Sequence, residues 1–203
     1  MLAAVKLPLE FYRRNDVISL SRELLGKVLT TSIGGVRTSA IITETEAYAG
    51  VGDRASHAYG GRRTDRTEPM FGPGGVAYVY LCYGIHHLFN VVVGREDEPL
   101  AILVRAGKPL AGTATILERR RREAVNRALL VGPGKLAQGL GITTALTGTS
   151  LVDGSIWIED SDLSVNREDV IVGPRVGIDY AGEDAALPYR FRIDPVNLDD
   201  ARS

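Results

Sequence analysis

The chain has 203 residues, 44% of them hydrophobic, and a formal net charge of −1. That length and apolar content suit one domain burying ~70% of its unfolded surface. The balanced charge argues against binding nucleic acid by phosphate neutralisation alone, and no apolar run approaches the ~18 residues of a membrane span. The single cysteine, Cys82, excludes an internal disulfide and fits a reducing compartment. With no basic-then-apolar leader at the N-terminus, the expectation is a cytoplasmic protein that avoids membranes.

In chain order, Asp16 is placed to cap a short helix through Val17, Leu20, Leu24 and Leu25, with Gly26 as its stop. KVLTTSI then reads as a strand, Gly34-Gly35 as a hairpin turn, and Val36 to Ala49 as a long extended run. Residues 50–75 are rich in Gly, Arg, Asp and Pro without periodicity; so long an irregular segment inside a compact domain is commonly functional. Val76 to Cys82, Leu88 to Val93 and Leu100 to Ala106 read as an antiparallel meander with tight turns at Tyr83-Gly84 and Gly94-Arg95. Residues 110–130 read as a helix with an exposed ERRRRE face, GPGKLAQGL as a shorter helix from Pro133, and the chain closes with short strands around Ile156, Val176 and Phe191. No repeat or linker divides residues 1–203, so the predicted fold is a single α+β domain around a mostly antiparallel sheet.

Chemistry concentrates between Thr43 and Asn90. Strand alternation puts Glu44, Glu46 and Tyr48 on one face of their run. Two glutamates on one strand face are either paired on a solvated surface or drawn into a site where neighbouring carboxylates push their pKa values apart; alternation leaves both readings open. Tyr78, Tyr80 and Cys82 share a face; Tyr78 reads as core, whereas Tyr83 lies at a turn tip, where an aromatic can wedge between bases. His57 lies among Arg62, Arg63 and Arg66. The three histidines, His57, His86 and His87, have no metal-ligand spacing, and GPGK is not a P-loop, although it can offer amides and Lys135 to a phosphate.

Taken in order, TETEAYAG, SHAYGG, MFGPGG, YVYLCYGIHHLFNVV, LVRA and GPGKLAQGL resemble the alkyladenine (3-methyladenine) DNA glycosylase family, from about Arg13 to Ile193. The resemblance implies a base-excision repair enzyme that hydrolyses the N-glycosidic bond of 3-methyladenine, 7-methylguanine, hypoxanthine or ethenoadenine flipped from double-stranded DNA. It would leave an abasic site and use no cofactor, metal or lyase step. It also implies a partly barrel-like antiparallel sheet with peripheral helices. By the same resemblance Glu46 activates water, Arg105 and the Val176 carbonyl help to hold that water, and Tyr48, His57 and Tyr80 line the base pocket. Asn90 would crowd the purine 2-amino group, and Tyr83 would fill the vacated stack from the minor-groove side.

A near-neutral DNA enzyme needs a local basic face, expected here from Arg62, Arg63, Arg66 and Lys135, on a protein acting as a monomer. Two rivals remain. One is a non-catalytic nucleic-acid module that uses tyrosine stacking. The other is a carbohydrate glycosidase using Glu44 and Glu46, which alternate residues on a strand would hold ~6.6 Å apart.

Overall fold

The computed structural model of the chain describes residues 5–160, 163 and 165–198. Its sheet starts with Val28–Ile33 (β1), which turns through Gly34 and Gly35 into the 13-residue strand Val36–Tyr48 (β2). Both turn residues have positive φ, 60° and 78°, the geometry that a two-residue hairpin demands and glycine supplies. Ala77–Cys82 (β3), His86–Val93 (β4) and Leu100–Ala111 (β5) form the expected meander. Ile156–Glu159 (β6), Ile171–Gly173 (β7) and Arg190–Arg192 (β8) complete a curled, antiparallel half-barrel in the order β3-β4-β5-β2-β1-β6, with β8 on β2 and β7 on β8. Helices Leu9–Tyr12 (α1), Val17–Glu23 (α2), Glu68–Phe71 (α3), Thr113–Arg120 (α4) and Pro133–Leu140 (α5) surround it, giving a single mixed α+β domain.

Strand β2 is long enough to serve two partners on one edge. β1 pairs with it as far as Ile41, and β8 takes over at Glu44, Thr45 and Glu46, while β5 runs along the other edge. The β2–β5 register slips three times: Leu110 is extra on β5 near its end, and farther along two slips of opposite sense leave Thr43 extra on β2 and Arg105 extra on β5. Such paired bulges restore the register and re-aim the side chain at the bulge. They turn Arg105 toward the β2 carboxylates. The backbone of the bulge is satisfied from behind, because the Gly132 N–H at the start of α5 donates to the Arg105 carbonyl at 3.0 Å.

The alternation of the strands sorts side chains into two layers. Ala47, Val79, Phe89, Val91, Ile102 and Val104 face the main core, where Leu20 of α2 and Leu136, Ala137 and Leu140 of α5 close over them. Each fully buried aliphatic side chain there contributes ~1.5–3 kcal/mol. Thr45 points the same way, its hydroxyl donating to the Ser21 carbonyl at 2.8 Å. The opposite face carries Glu46, Tyr48, Tyr78, Asn90, Ala101 and Leu103, covered by α3 and the irregular residues around it. α2 is capped as expected, with the Ser19 N–H donating to Asp16 Oδ1 at 3.1 Å and Gly26 leaving at φ 82°. The MFGPGG motif is architectural: a β-carbon on Gly74 would lie 2.1 Å from the Tyr12 carbonyl oxygen, so only glycine lets this loop cross α1.

Two expectations need correction. Residues 110–130 are not one helix. β5 continues to Ala111, Gly112 turns at φ 67°, and α4 stops at Arg121, which has φ 52°. The arginine run tethers its surroundings rather than forming one solvated face: Arg119 donates to Thr38 Oγ1 and the Gly139 carbonyl, and Arg120 to the Leu129 carbonyl. This draws the chain back and buries Leu129 and Leu130. The strand expected around Val176 lies earlier, at β7; Pro174 has no N–H for a ladder and ends it. Val176 therefore sits in the loop leading to the 3₁₀ segment Asp179–Ala186. Among the described residues no helix is long and apolar enough to cross a membrane.

Candidate active site

Cross-strand pairing lines up one row of residues. Tyr78 pairs with Asn90, Asn90 with Leu103, Leu103 with Glu46, and Glu46 with Arg190. A cavity of about 360 Å³ opens over this row, within the size range of small-molecule sites. Loops supply its remaining walls, from residues 55–70 on one side and Val176–Tyr180 on the other.

Glu46 is fully buried and held by three donors. The Val176 N–H donates to Oε1 at 2.8 Å, while the Tyr48 hydroxyl at 3.0 Å and Arg105 Nη1 at 3.2 Å donate to Oε2. Tyr48, Arg105 and Val176 line the cavity, so the carboxylate lies just behind its surface. It is the amide of Val176, not its carbonyl, that meets Glu46. Burial raises the Glu46 carboxyl above the ordinary glutamate range; Arg105, the Val176 amide and Tyr48 work against that, and Glu44 adds to it. The face carrying the two glutamates is thus not a solvated surface.

Glu44 has different work. Its Oε1 accepts from Arg105 Nε at 3.0 Å and from Arg190 Nε at 2.6 Å. Held between two guanidinium groups, it is an electrostatic partner of Arg105. That arrangement removes the support for a two-carboxylate sugar hydrolase.

Tyr48 has a cation behind it. The Arg175 guanidinium lies 4.8 Å from the ring centroid, with its side chain wholly buried. Arg175 is anchored by Asp53, whose Oδ1 accepts from Nη2 at 2.8 Å, and Nη1 donates to the Ala47 carbonyl at 2.9 Å. Burial pushes the Asp53 carboxyl up, but Arg175 and the Ala49 and Ala55 amides more than offset this and hold it below the usual aspartate value. The buried pair, held through both terminal guanidinium nitrogens with Arg175 Nε left without a partner among the described residues, fixes this end of the cavity.

The other end is aromatic and basic. Tyr80 stands beside Tyr78 with ring centroids 5.6 Å apart, and His57 meets the Tyr80 ring edge-on at 4.6 Å. His57 Nδ1 lies 2.9 Å from the Tyr78 hydroxyl, and Arg66 Nη2 lies 3.4 Å from His57 Nε2. Burial, then Arg66 and Arg62, lowers the His57 pKa to about 4. Asn90, on the cavity floor, donates from Nδ2 to the Tyr78 carbonyl at 3.0 Å. Tyr83 projects from the β3–β4 tip, 90% exposed with φ 50°, flanked by exposed Leu81 and Ile85.

The four residues of the expected basic face are all exposed but differ in their partners. Arg63 makes a bidentate pair with Glu68 and a further pair with Asp97, so its guanidinium is engaged. Arg66 turns onto the Tyr80 ring and into the cavity wall. Arg62 and Lys135 are exposed. His86 packs against Gly134, and the His87 ring nitrogen Nδ1 accepts from the Thr144 N–H at 3.2 Å.

Sequence reasoning missed Tyr78, Asp53, Arg175, Tyr180 and Arg190. Tyr78 shares strand parity with Tyr80, which was the available signal. Arg175 and Tyr180 lie within four positions of Val176. Asp53 and Arg190 carry no local mark. Among the described residues no group of His, Cys, Asp and Glu has a metal-site arrangement.

A family model described as methylpurine-DNA glycosylase matches residues 10–196. Relatives named as candidate 3-methyladenine DNA glycosylases include one from Chlamydia abortus, 46% identical over 188 residues that cover 92% of this chain and 97% of the relative. Others come from Desulfitobacterium hafniense, 42% identical, and Bacillus thuringiensis, 43% identical, each with 91% of this chain and 93% of the relative covered.

Because His57 is buried beside cations, its ring is expected to stay neutral from pH 8 down to pH 5. A histidine ¹⁵N NMR titration showing protonation of His57 near pH 6.5, the ordinary histidine value, would contradict this wall geometry.

Proposed function

The chain belongs to the methylpurine-DNA glycosylase family, and on that premise we propose that it excises damaged purines by hydrolysis, with Glu46 activating the attacking water. The observation that carries this reading is a buried carboxylate, ringed by three donors, at one end of a purine-sized cavity with two tyrosines on its walls.

A purine in duplex DNA must leave the stack before water can reach C1′, at a cost of a few kcal/mol. Stacking of the extruded base between Tyr48 and Tyr80 returns ~1–3 kcal/mol per base. Tyr83, exposed at a hairpin tip with no core to join, fits the wedge that occupies the vacancy. Water bonds to C1′ as the C1′–N9 bond breaks; its proton passes to Glu46, and the bonding electron pair departs with the purine. The ionised carboxylate also stabilises the oxocarbenium-like sugar, as carboxylates do in glycoside hydrolysis. Among the described residues Oε1 accepts only the Val176 amide, so it keeps a lone pair for that water. Arg105 is shared by both glutamates and favours the ionised form of Glu46 against the effect of its burial.

None of the four lysines, Lys6, Lys27, Lys108 and Lys135, lines the cavity. An amine nucleophile would be needed for strand-cleaving lyase chemistry, so the reading is simple hydrolysis to an abasic site. Asn90, on the floor, is placed to crowd a purine 2-amino group. The substrate is double-stranded DNA approached from the minor groove by a monomer.

Glu46→Gln should reduce release of 3-methyladenine from methylated duplex by roughly 10²–10⁴-fold, the range for loss of a general base, while duplex binding in a mobility-shift assay persists. Retained release would favour a mechanism without Glu46; wild-type protein that binds but releases nothing would favour the non-catalytic module. Tyr83→Ala should slow excision from duplex more than from single strands. Equal slowing of both would rule out the wedge.

A further inference from the structure

The Val176 amide donates to Glu46 from a loop that no strand ladder places. Pro174 ends β7, the Val176 side chain is 46% exposed, and Gly177 turns at φ 74° with open space where a β-carbon would sit. Such a segment has little packing of its own to fix it. Its position depends on the side chain next door. Arg175 Nη1 donates to the Ala47 carbonyl at 2.9 Å, so residues 175 and 176 are pinned to residues 47 and 46 of β2, neighbours against neighbours.

Asp53 holds the other side of that guanidinium group. Its carboxylate accepts four hydrogen bonds, from Arg175 Nη1 and Nη2 and from the Ala49 and Ala55 amides, the last two at 3.0 Å. The end of β2, residues 49–55 and the loop after β7 all meet at this buried group. The contact continues outward. The Arg54 N–H donates to Asp184 Oδ2 at 2.8 Å and the Tyr180 hydroxyl to the Ala55 carbonyl at 3.3 Å, while Ala55, Ile178 and Ala181 cluster against Tyr48. A buried ion pair adds little net stability over a well-packed apolar pair of the same volume. What it supplies here is direction, because a guanidinium group that donates twice to one carboxylate is held in a single orientation.

We propose that Asp53 and Arg175 are positioning residues for Glu46: paired, they fix the 175–176 peptide so that the Val176 amide holds Oε1 in place for the attacking water. This deepens the glycosylase reading and rests on it.

Breaking the pair has two consequences. The carboxylate loses its orientation, and a misplacement of ~1 Å at a reacting group costs on the order of 10²-fold in rate. Its ionisation also weakens, because the Val176 amide is one of the groups that lower the Glu46 pKa. The other groups facing Glu46 are Arg105 of β5, Glu44 and Tyr48 of β2, and Arg175 itself, with Arg190 of β8 acting through Glu44. A substitution that breaks the pair but keeps its charge leaves those charges in place. Loss of the amide then decides the sign, and the Glu46 pKa rises.

The test is the pH dependence of single-turnover 7-methylguanine release by wild type, Arg175→Lys and Asp53→Glu, both of which keep the charge but not the twofold contact. Leu29→Ala, in the main core, is the destabilised control, and thermal melting confirms that each variant is folded. The plateau rate should fall roughly 10²-fold in both pair variants and the acid-limb midpoint should move up, while the Leu29→Ala midpoint stays at the wild-type value. An unmoved midpoint in a folded pair variant, or the same shift in Leu29→Ala, overturns the inference. Should neither pair variant fold, hydrogen exchange of the wild type decides. The Val176 amide should open together with the Ala49 and Ala55 amides as one cooperative unit; a Val176 amide that exchanges freely while those two stay protected overturns the inference. Wild-type protein that releases base with no acid limb, or releases none, overturns the underlying reading instead.

Discussion

One buried charge organises this molecule. A carboxylate with no solvent exposure costs several kcal/mol to desolvate, and only good partners offset that. Every element around Glu46 contributes to that compensation. β5 bulges so that Arg105 leaves its ladder position and reaches both glutamates; α5 caps the bulge carbonyl from behind; β8 replaces β1 on the edge of β2, bringing Arg190 to Glu44; and the loop after β7 delivers the Val176 amide. Glu44 is best understood as the second carboxylate that keeps Arg105 in place. The opposed forces on Glu46, burial raising its pKa and three donors lowering it, are the condition under which a carboxylate can act as a base yet remain reactive.

The same economy governs the walls. Arg175 and Asp53 neutralise each other while the guanidinium supports the back of Tyr48, so a charged pair does the work of a packed side chain and fixes the ring's plane. At the far end the charge is left open: Arg66 with a neutral His57 gives that end a positive character. The cavity thus runs from a carboxylate to a guanidinium along one row of sheet residues, and the polarity of the proposed reaction follows that axis.

Much of this was legible locally. The Gly34-Gly35 turn, the Asp16 cap, the meander and the shared face of Glu44, Glu46 and Tyr48 all follow from period-two alternation and turn chemistry. The expected roles came from family resemblance, since alternation alone left the glutamate face open between a solvated surface and a site. What was not legible depends on partners far apart in the chain. Arg175 and Asp53 are 122 positions apart, and Arg63 finds Asp97 across 34 positions; no spacing rule marks either pair, so Arg63 read as a free cation. The helix expected over 110–130 failed for a related reason. Its arginines look like a solvated stripe until Thr38, Gly139 and Leu129 are seen to accept from them. Tyr78 reads as core from its place on a strand and is indeed buried, yet it also lines the cavity.

The claim that Glu46 must be ionised to act is tested most directly by the pH dependence of single-turnover 7-methylguanine release. That lesion is already cationic and needs no proton. Since burial raises the Glu46 pKa, its protonated, inactive form persists to higher pH than for an ordinary glutamate. The rate should rise along a single acid limb with a midpoint above ~4.3, and Arg105→Gln should move that midpoint higher still by removing the cation that favours ionisation. A rate that is flat through this range, or an Arg105→Gln midpoint that moves down, would contradict the account.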